Sequence, residues 1–75
     1  MPSYLVEVYV PNAEDARAAA RQLSREGGSV RYVRMTFLPG DETCFHVFEA
    51  DSEEDVADAC RRAGLGSPRI VAAVE

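Results

Sequence analysis

The most restrictive feature of this sequence is a pair of strand-like segments separated by only four residues. The first segment reads V-R-Y-V-R-M-T-F-L, the connection at 39–42 reads P-G-D-E, and the second segment begins T-C-F-H-V-F-E. β-branched and aromatic residues favour strands, whereas Pro and Gly favour a turn. Residues 30–50 are therefore predicted to form a β-hairpin, and this hairpin contains the only histidine of the chain, His46.

The segments on either side of the hairpin alternate between strand and helix patterns. Residues 4–10 read Y-L-V-E-V-Y-V and stop at Pro11, which predicts a first strand. Asn12 is a suitable N-cap for a helix that ends at Gly27-Gly28. Ser52 with Asp55 predicts the start of a second helix that ends at Gly64, and residues 69–74 predict a last strand.

This order, β-α-β-β-α-β, predicts one α+β domain over residues 1–75. Each helix has one apolar stripe, so both helices are expected to cover the same face of one four-stranded antiparallel sheet. Right-handed crossovers then give the strand order 4-1-3-2 of a ferredoxin-like plait. A domain of 75 residues has a small core, which favours a supplement from a partner subunit or a metal.

Charge and composition exclude several function classes. The net charge is −5 and lysine is absent, so no nucleic-acid partner is expected. No apolar run approaches the ~20 residues of a membrane helix, so no membrane association is expected. The start, M-P-S-Y-L-V-E, has no basic and apolar signal-peptide pattern. We therefore expect a cytoplasmic protein with reduced thiols.

Strand alternation predicts which side chains share the helix-free face of the sheet. The valines at 6, 8 and 10 predict that their side of the first strand faces the helices. The same pattern predicts that the hairpin places one apolar set in the core, namely Val33, Met35, Phe37, Phe45 and Val47. The helix-free face is then predicted to carry Leu5, Glu7, Tyr9, Tyr32, Arg34, Thr36, Cys44, His46 and Phe48. We interpret this face, with Tyr9, Tyr32, Arg34 and Phe48, as a homodimer interface or a pocket.

The chain resembles a known protein family along nearly its whole length. The resemblance rests on Y-L-V-E-V-Y-V-P, R-Y-V-R, D-E-T-C-F-H-V-F-E-A and R-R-A-G-L-G-S-P-R-I. These segments are similar to those of small bacterial proteins, once catalogued as a domain of unknown function and now often labelled nickel-binding proteins with a ferredoxin-like fold. The resemblance implies a dimeric plait with a divalent-metal role. His46 stands where members often carry cysteine, and Arg34 where some carry histidine.

The metal role that the resemblance implies directs attention to three side chains. Cys44 and His46 are two residues apart on one strand and therefore project from one face, and Glu7 belongs to the neighbouring strand. Together they offer sulfur, nitrogen and oxygen ligands for nickel or another divalent transition metal. Arg34 stays protonated and does not bind a cation. Cys60 lies on the apolar stripe of the second helix and is predicted to be a core residue.

Two other function classes remain open from the sequence. One is a small dimeric plait enzyme of the oxygenase type, in which His46 is a general base or an axial ligand and Arg34 stabilises an anionic intermediate. The other is a ligand-sensing or interaction module without catalysis.

Overall fold

The computed structural model describes residues 1–26 and 28–74 and has the predicted order of elements. Pro39–Asp41 form a short 3₁₀ turn inside the hairpin. The sequence prediction placed most ends within one residue, although Gly27, the predicted helix end, lies outside the described residues. The elements are β1 (Ser3–Tyr9), α1 (Ala13–Glu26), β2 (Val30–Leu38), β3 (Thr43–Ala50), α2 (Glu53–Arg62) and β4 (Arg69–Ala73).

The four strands form one antiparallel sheet in the order β2-β3-β1-β4. This order confirms the predicted 4-1-3-2 arrangement of a ferredoxin-like plait. Strands β3 and β1 are central, and β2 and β4 are the edges. Arg34 lies opposite Val47, the residue next to His46.

Both helices begin at the side-chain caps predicted from the sequence. The Asp15 backbone N–H donates to Oδ1 of Asn12 at 2.8 Å, and the Asp55 N–H donates to Oγ of Ser52 at 3.2 Å. Such caps satisfy N–H groups that have no partner within the helix. Among residues 1–26 and 28–74, no helix has the length and apolarity required to cross a lipid bilayer.

The helices cover the valine side of β1, as predicted. Val6 is completely buried and belongs to a core cluster with Leu23 of α1 and with Val56 and Cys60 of α2. Cys60 is thus a core residue, as its position on the apolar stripe indicated. The buried side chains of α1 are Ala16 and Leu23, so this helix contributes little apolar volume to the core.

The predicted faces of β3 are wrong. Val6 lies opposite His46 and Val8 opposite Cys44, and opposed residues in antiparallel strands share a face. Cys44, His46 and Phe48 therefore point toward the helices, where all three are fully buried. Phe45 and Val47, which the sequence analysis placed in the core, lie on the helix-free face instead.

A β-bulge at Val33 explains the error in β2. The ladder runs from Tyr32 opposite Phe48 directly to Arg34 opposite Val47, which leaves Val33 as an extra residue. One inserted residue reverses the alternation beyond it. Tyr32 consequently faces the helices, not the helix-free side as predicted, whereas Arg34 is on the helix-free side as predicted. Val33 itself, predicted to be in the core, is exposed at the bulge.

The two phenylalanines of β3 provide a test of these faces. We expect Phe48→Ala to lower the free energy of unfolding by about 3–5 kcal/mol, because it leaves a cavity in the core. Phe45→Ala should cost clearly less, since Phe45 lies half-buried on the other face. Urea denaturation followed by circular dichroism measures both. A larger loss for Phe45→Ala, at protein concentrations where both variants are monomeric, would contradict this register of β3.

Candidate functional site

The most distinctive polar feature of the fold is a buried histidine with a partner at each ring nitrogen. His46 is 0% exposed. The Tyr32 hydroxyl and Nδ1 of His46 share a hydrogen bond of 2.7 Å, and Nε2 lies 3.6 Å from Sγ of Cys44. Tyr32 also meets Phe48 edge-on, with ring centroids 5.2 Å apart. We call Tyr32, His46 and Cys44 the core triad.

The core triad favours uncharged forms of all three groups. Burial lowers the pKa of His46 to about 4, so its imidazole is neutral at pH 7. Burial, and to a smaller degree the nearby Cys44, raises the pKa of Tyr32 above its usual range. Burial also raises the pKa of the Cys44 thiol. A neutral imidazole has one donor and one acceptor nitrogen, and the two flanking groups satisfy both in either tautomer.

The three predicted metal ligands are separated by the sheet. Cys44 and His46 are together on the helix-covered face, but Glu7 lies opposite Phe45 on the other face. There the Glu7 carboxylate is 3.8 Å from the guanidinium of Arg69. Within residues 1–26 and 28–74, no group of three or more His, Cys, Asp or Glu side chains is arranged to hold a metal ion. The predicted set of His46, Cys44 and Glu7 therefore does not fit one ion within one chain.

The helix-free side of the sheet is a second candidate functional region, which we call the open face. Of the four residues predicted for an interface or pocket, Tyr9 and Arg34 belong to it. Phe48 is in the core, and Tyr32 is partly buried against the core on the helix-covered face. Arg34 is exposed, and Tyr9 is 75% exposed at the end of β1. The strand pairings assign to the open face Leu5, Glu7, Tyr9, Arg31, Arg34, Thr36, Leu38, Phe45, Val47, Glu49, Arg69 and Val71.

Two shallow clefts flank Tyr9. One, of about 320 Å³, lies between the end of β1 and the hairpin turn and is lined by the acidic Asp41 and Glu42. The other, of about 350 Å³, lies between β1 and the loop before β4, where Leu65 and Pro68 line it. His46 lines neither cleft. These two clefts therefore give the imidazole no access to a substrate.

The core triad was not predicted because the two sets of alternate residues in β3 are nearly equal in apolar character. The sequence did contain a discriminating signal, since Glu49 has the same parity as Phe45 and Val47. A charged residue on that side indicates the solvent-facing side, and Arg31 pairs with Glu49 across the strands at 2.7 Å. Cys, Phe and Ala on the other side are among the residue types most often buried.

Comparisons of the chain with protein-family models, with curated proteins and with solved structures found no match. The core triad and the open face are therefore interpreted from their own chemistry. The resemblance to nickel-binding proteins stays a prediction.

The buried imidazole predicts a specific pH dependence of stability. The pKa of a histidine is about 6.5 in an unfolded chain and about 4 for the folded His46, so the unfolded state alone binds a proton between these values. Stability should therefore be complete above pH 6.5 and fall as the pH decreases toward 4, by about 3 kcal/mol at most from this group.

His46→Gln is the control for this titration, because it removes the titrating group and keeps a polar side chain. Urea denaturation of both proteins from pH 4 to pH 7 measures the difference in slope. Parallel pH profiles for the two proteins would contradict the assignment to His46.

Proposed function

We propose that this chain is a non-catalytic interaction module that forms a homodimer through the open face of its sheet. The observation that carries the proposal is an uncovered sheet face with apolar side chains at its centre. The helices cover only one face, and the other retains Leu5, Phe45 and Val47 on adjacent strands. We expect a cytoplasmic setting, in which both buried cysteines stay free.

Apolar side chains lie on all four strands of the open face, although Val47 at its centre is only 6% exposed within one chain. Leu38 and Val71 are each 38% exposed at its margins, and Tyr9 extends it at one end. Contiguous apolar patches with a polar rim are typical of protein interaction sites. A second copy of the chain offers an equally apolar surface and would withdraw both from water.

The distribution of charge favours a second copy as the occupant. The open face carries three arginines and two glutamates, a net charge of +1, although the chain as a whole carries −5. The excess negative charge therefore lies on the helices and loops, away from this face. Two open faces can meet without the repulsion that the total charge would suggest, and their mixed signs allow pairing across the interface.

Phe45→Asp tests the proposed dimer. We expect the wild-type chain, purified without a tag, to sediment as a dimer at micromolar concentrations, and Phe45→Asp to sediment as a monomer because it places a charge at the apolar centre. Ala18→Glu is the matched control, since Ala18 is exposed on α1. Circular dichroism confirms that each variant is folded. A monomeric wild-type chain would refute the proposal.

As a second candidate function we propose metal binding by Cys44 and His46, with nickel as the ion that the family resemblance implies. The favourable observation is the 3.6 Å separation of Sγ and Nε2. Thiolate and imidazole ligands of one tetrahedral ion lie about 3.5 Å apart. Tyr32 contacts Nδ1, on the other side of the ring, and cannot reach an ion bound at Nε2. The core triad therefore supplies two ligands, Nε2 of His46 and Sγ of Cys44.

Native mass spectrometry with added Ni²⁺, Zn²⁺ and Cu²⁺ tests metal binding. We expect His46→Ala and Cys44→Ser each to abolish Ni²⁺ binding, because each removes one of only two ligands. Cys60→Ala is the matched control, since it removes a buried thiol outside the core triad. Equal Ni²⁺ affinity in Cys44→Ser and the wild-type chain would contradict this candidate.

The alternative of an oxygenase-type enzyme receives no support from the site. General-base catalysis requires a positioned imidazole beside a substrate pocket. His46 is fully buried, and its two nitrogens are already engaged by Tyr32 and Cys44. Arg34, the residue expected to stabilise an anion, lies on the opposite face of the sheet.

A further inference from the structure

We propose that Arg34 of each copy pairs with Glu7 of the other copy and thereby sets the orientation of the dimer. This inference rests on the proposed function and adds to it the residues that determine how the two open faces meet. It follows from the strand register of the open face, from the partners of its charged side chains and from the symmetry of a dimer.

The strand register places Arg34 and Glu7 at diagonal corners around the apolar centre. Arg34 lies opposite Val47, which lies opposite Leu5. Phe45, two residues before Val47, lies opposite Glu7. With strands about 4.8 Å apart and a rise of about 3.4 Å per residue, the Cα atoms of Arg34 and Glu7 are about 12 Å apart. The midpoint of this diagonal lies on β3, between Phe45 and Val47.

A two-fold axis in the interface plane can superimpose these two corners. In a symmetric dimer each contact occurs twice, since residue i meets residue j and residue j meets residue i. Arg34 lies above the partner's Glu7 when the axis bisects their diagonal at right angles. That axis passes over the midpoint between Phe45 and Val47, so the apolar centres of the two copies meet at the axis.

The same axis gives an acceptable packing of the two sheets. With the same strand separation and rise per residue, the strands of the two copies cross at about 70°, which is near the orthogonal class of sheet packing. The charge pairs then lie on either side of the apolar contact, where they fix its orientation and are partly shielded from water.

The ionic contacts of Arg34 and Glu7 within one chain leave both side chains available for a second copy. Within residues 1–26 and 28–74, no carboxylate lies within 4.0 Å of the Arg34 guanidinium. Glu7 has only a long contact of 3.8 Å to Arg69, and its side chain is 20% exposed. By contrast, Arg31 and Glu49 are already paired with each other at 2.7 Å. Among the residues that the structure describes, Arg34 is thus the arginine of the open face that has no carboxylate partner within its own chain.

A charge-reversal cycle tests the inference. The dimer dissociation constant is measured by sedimentation equilibrium for the wild-type chain, Arg34→Glu, Glu7→Arg and the double variant. We expect each single reversal to weaken the dimer by at least about tenfold, because two like-charge pairs form across the interface, and the double variant to regain most of that loss. The contact of residue 7 with Arg69 is altered equally in Glu7→Arg and in the double variant, so the cycle cancels it.

Arg17→Glu is the control for net charge, because it makes the same charge change on the exposed side of α1. Circular dichroism establishes that the variants are folded. Rescue in the double variant, with Arg17→Glu near wild type, supports the pairing. A wild-type dimer in which Arg34→Glu is no weaker than Arg17→Glu, or in which the double variant shows no rescue, overturns the pairing and leaves the dimer intact. A monomeric wild-type chain removes the proposed function itself.

Discussion

The pairing of Val6 with His46 is the contact on which the rest of the architecture depends. It fixes the register between the two central strands and assigns each residue of β3 to one face of the sheet. This register buries a polar ring completely, which is favourable only when the ring keeps its hydrogen bonds. Tyr32 and Cys44 supply both partners, and an unsatisfied buried nitrogen would cost about 1–3 kcal/mol. This register is therefore favourable only because the core triad supplies the hydrogen bonds that the buried imidazole needs.

The remainder of the core is small, and this has a consequence for the open face. The helices contribute few large side chains, chiefly Leu23 and Val56, while Phe48 supplies the largest fully buried ring. A chain of this length buries only about 60% of the surface that its unfolded form exposes. Phe45 and Val47 belong to the same central strand as Phe48 but lie on the other face, where Phe45 is half-buried and Val47 is 6% exposed. Association through the open face would add a second apolar layer at the strand that already organises the first.

Most of the fold could be predicted from the sequence, and most of the site could not. Asn12 and Ser52 cap their helices as predicted, because capping depends on residues within one turn. The strand order followed from the order of elements and the handedness of crossovers. The faces of β3 depend on contrast between alternate residues, and Phe45 and Phe48 provide almost none. The ligand set failed for the same reason, since Glu7 and His46 were assigned to one face by an incorrect parity.

The bulge at Val33 influences both the core triad and the open face, and it also restricts how the sheet can associate. Without the extra residue, Arg34 would keep the parity of Tyr32 and its charged guanidinium would point into the core. The bulge moves Arg34 to the open face while Tyr32 stays beside His46. It lies on an edge strand, where bulges hinder pairing with another sheet, and the other edge strand, β4, has only five residues. Because both edges are poor templates for strand addition, the open face is the surface of the sheet best suited to association.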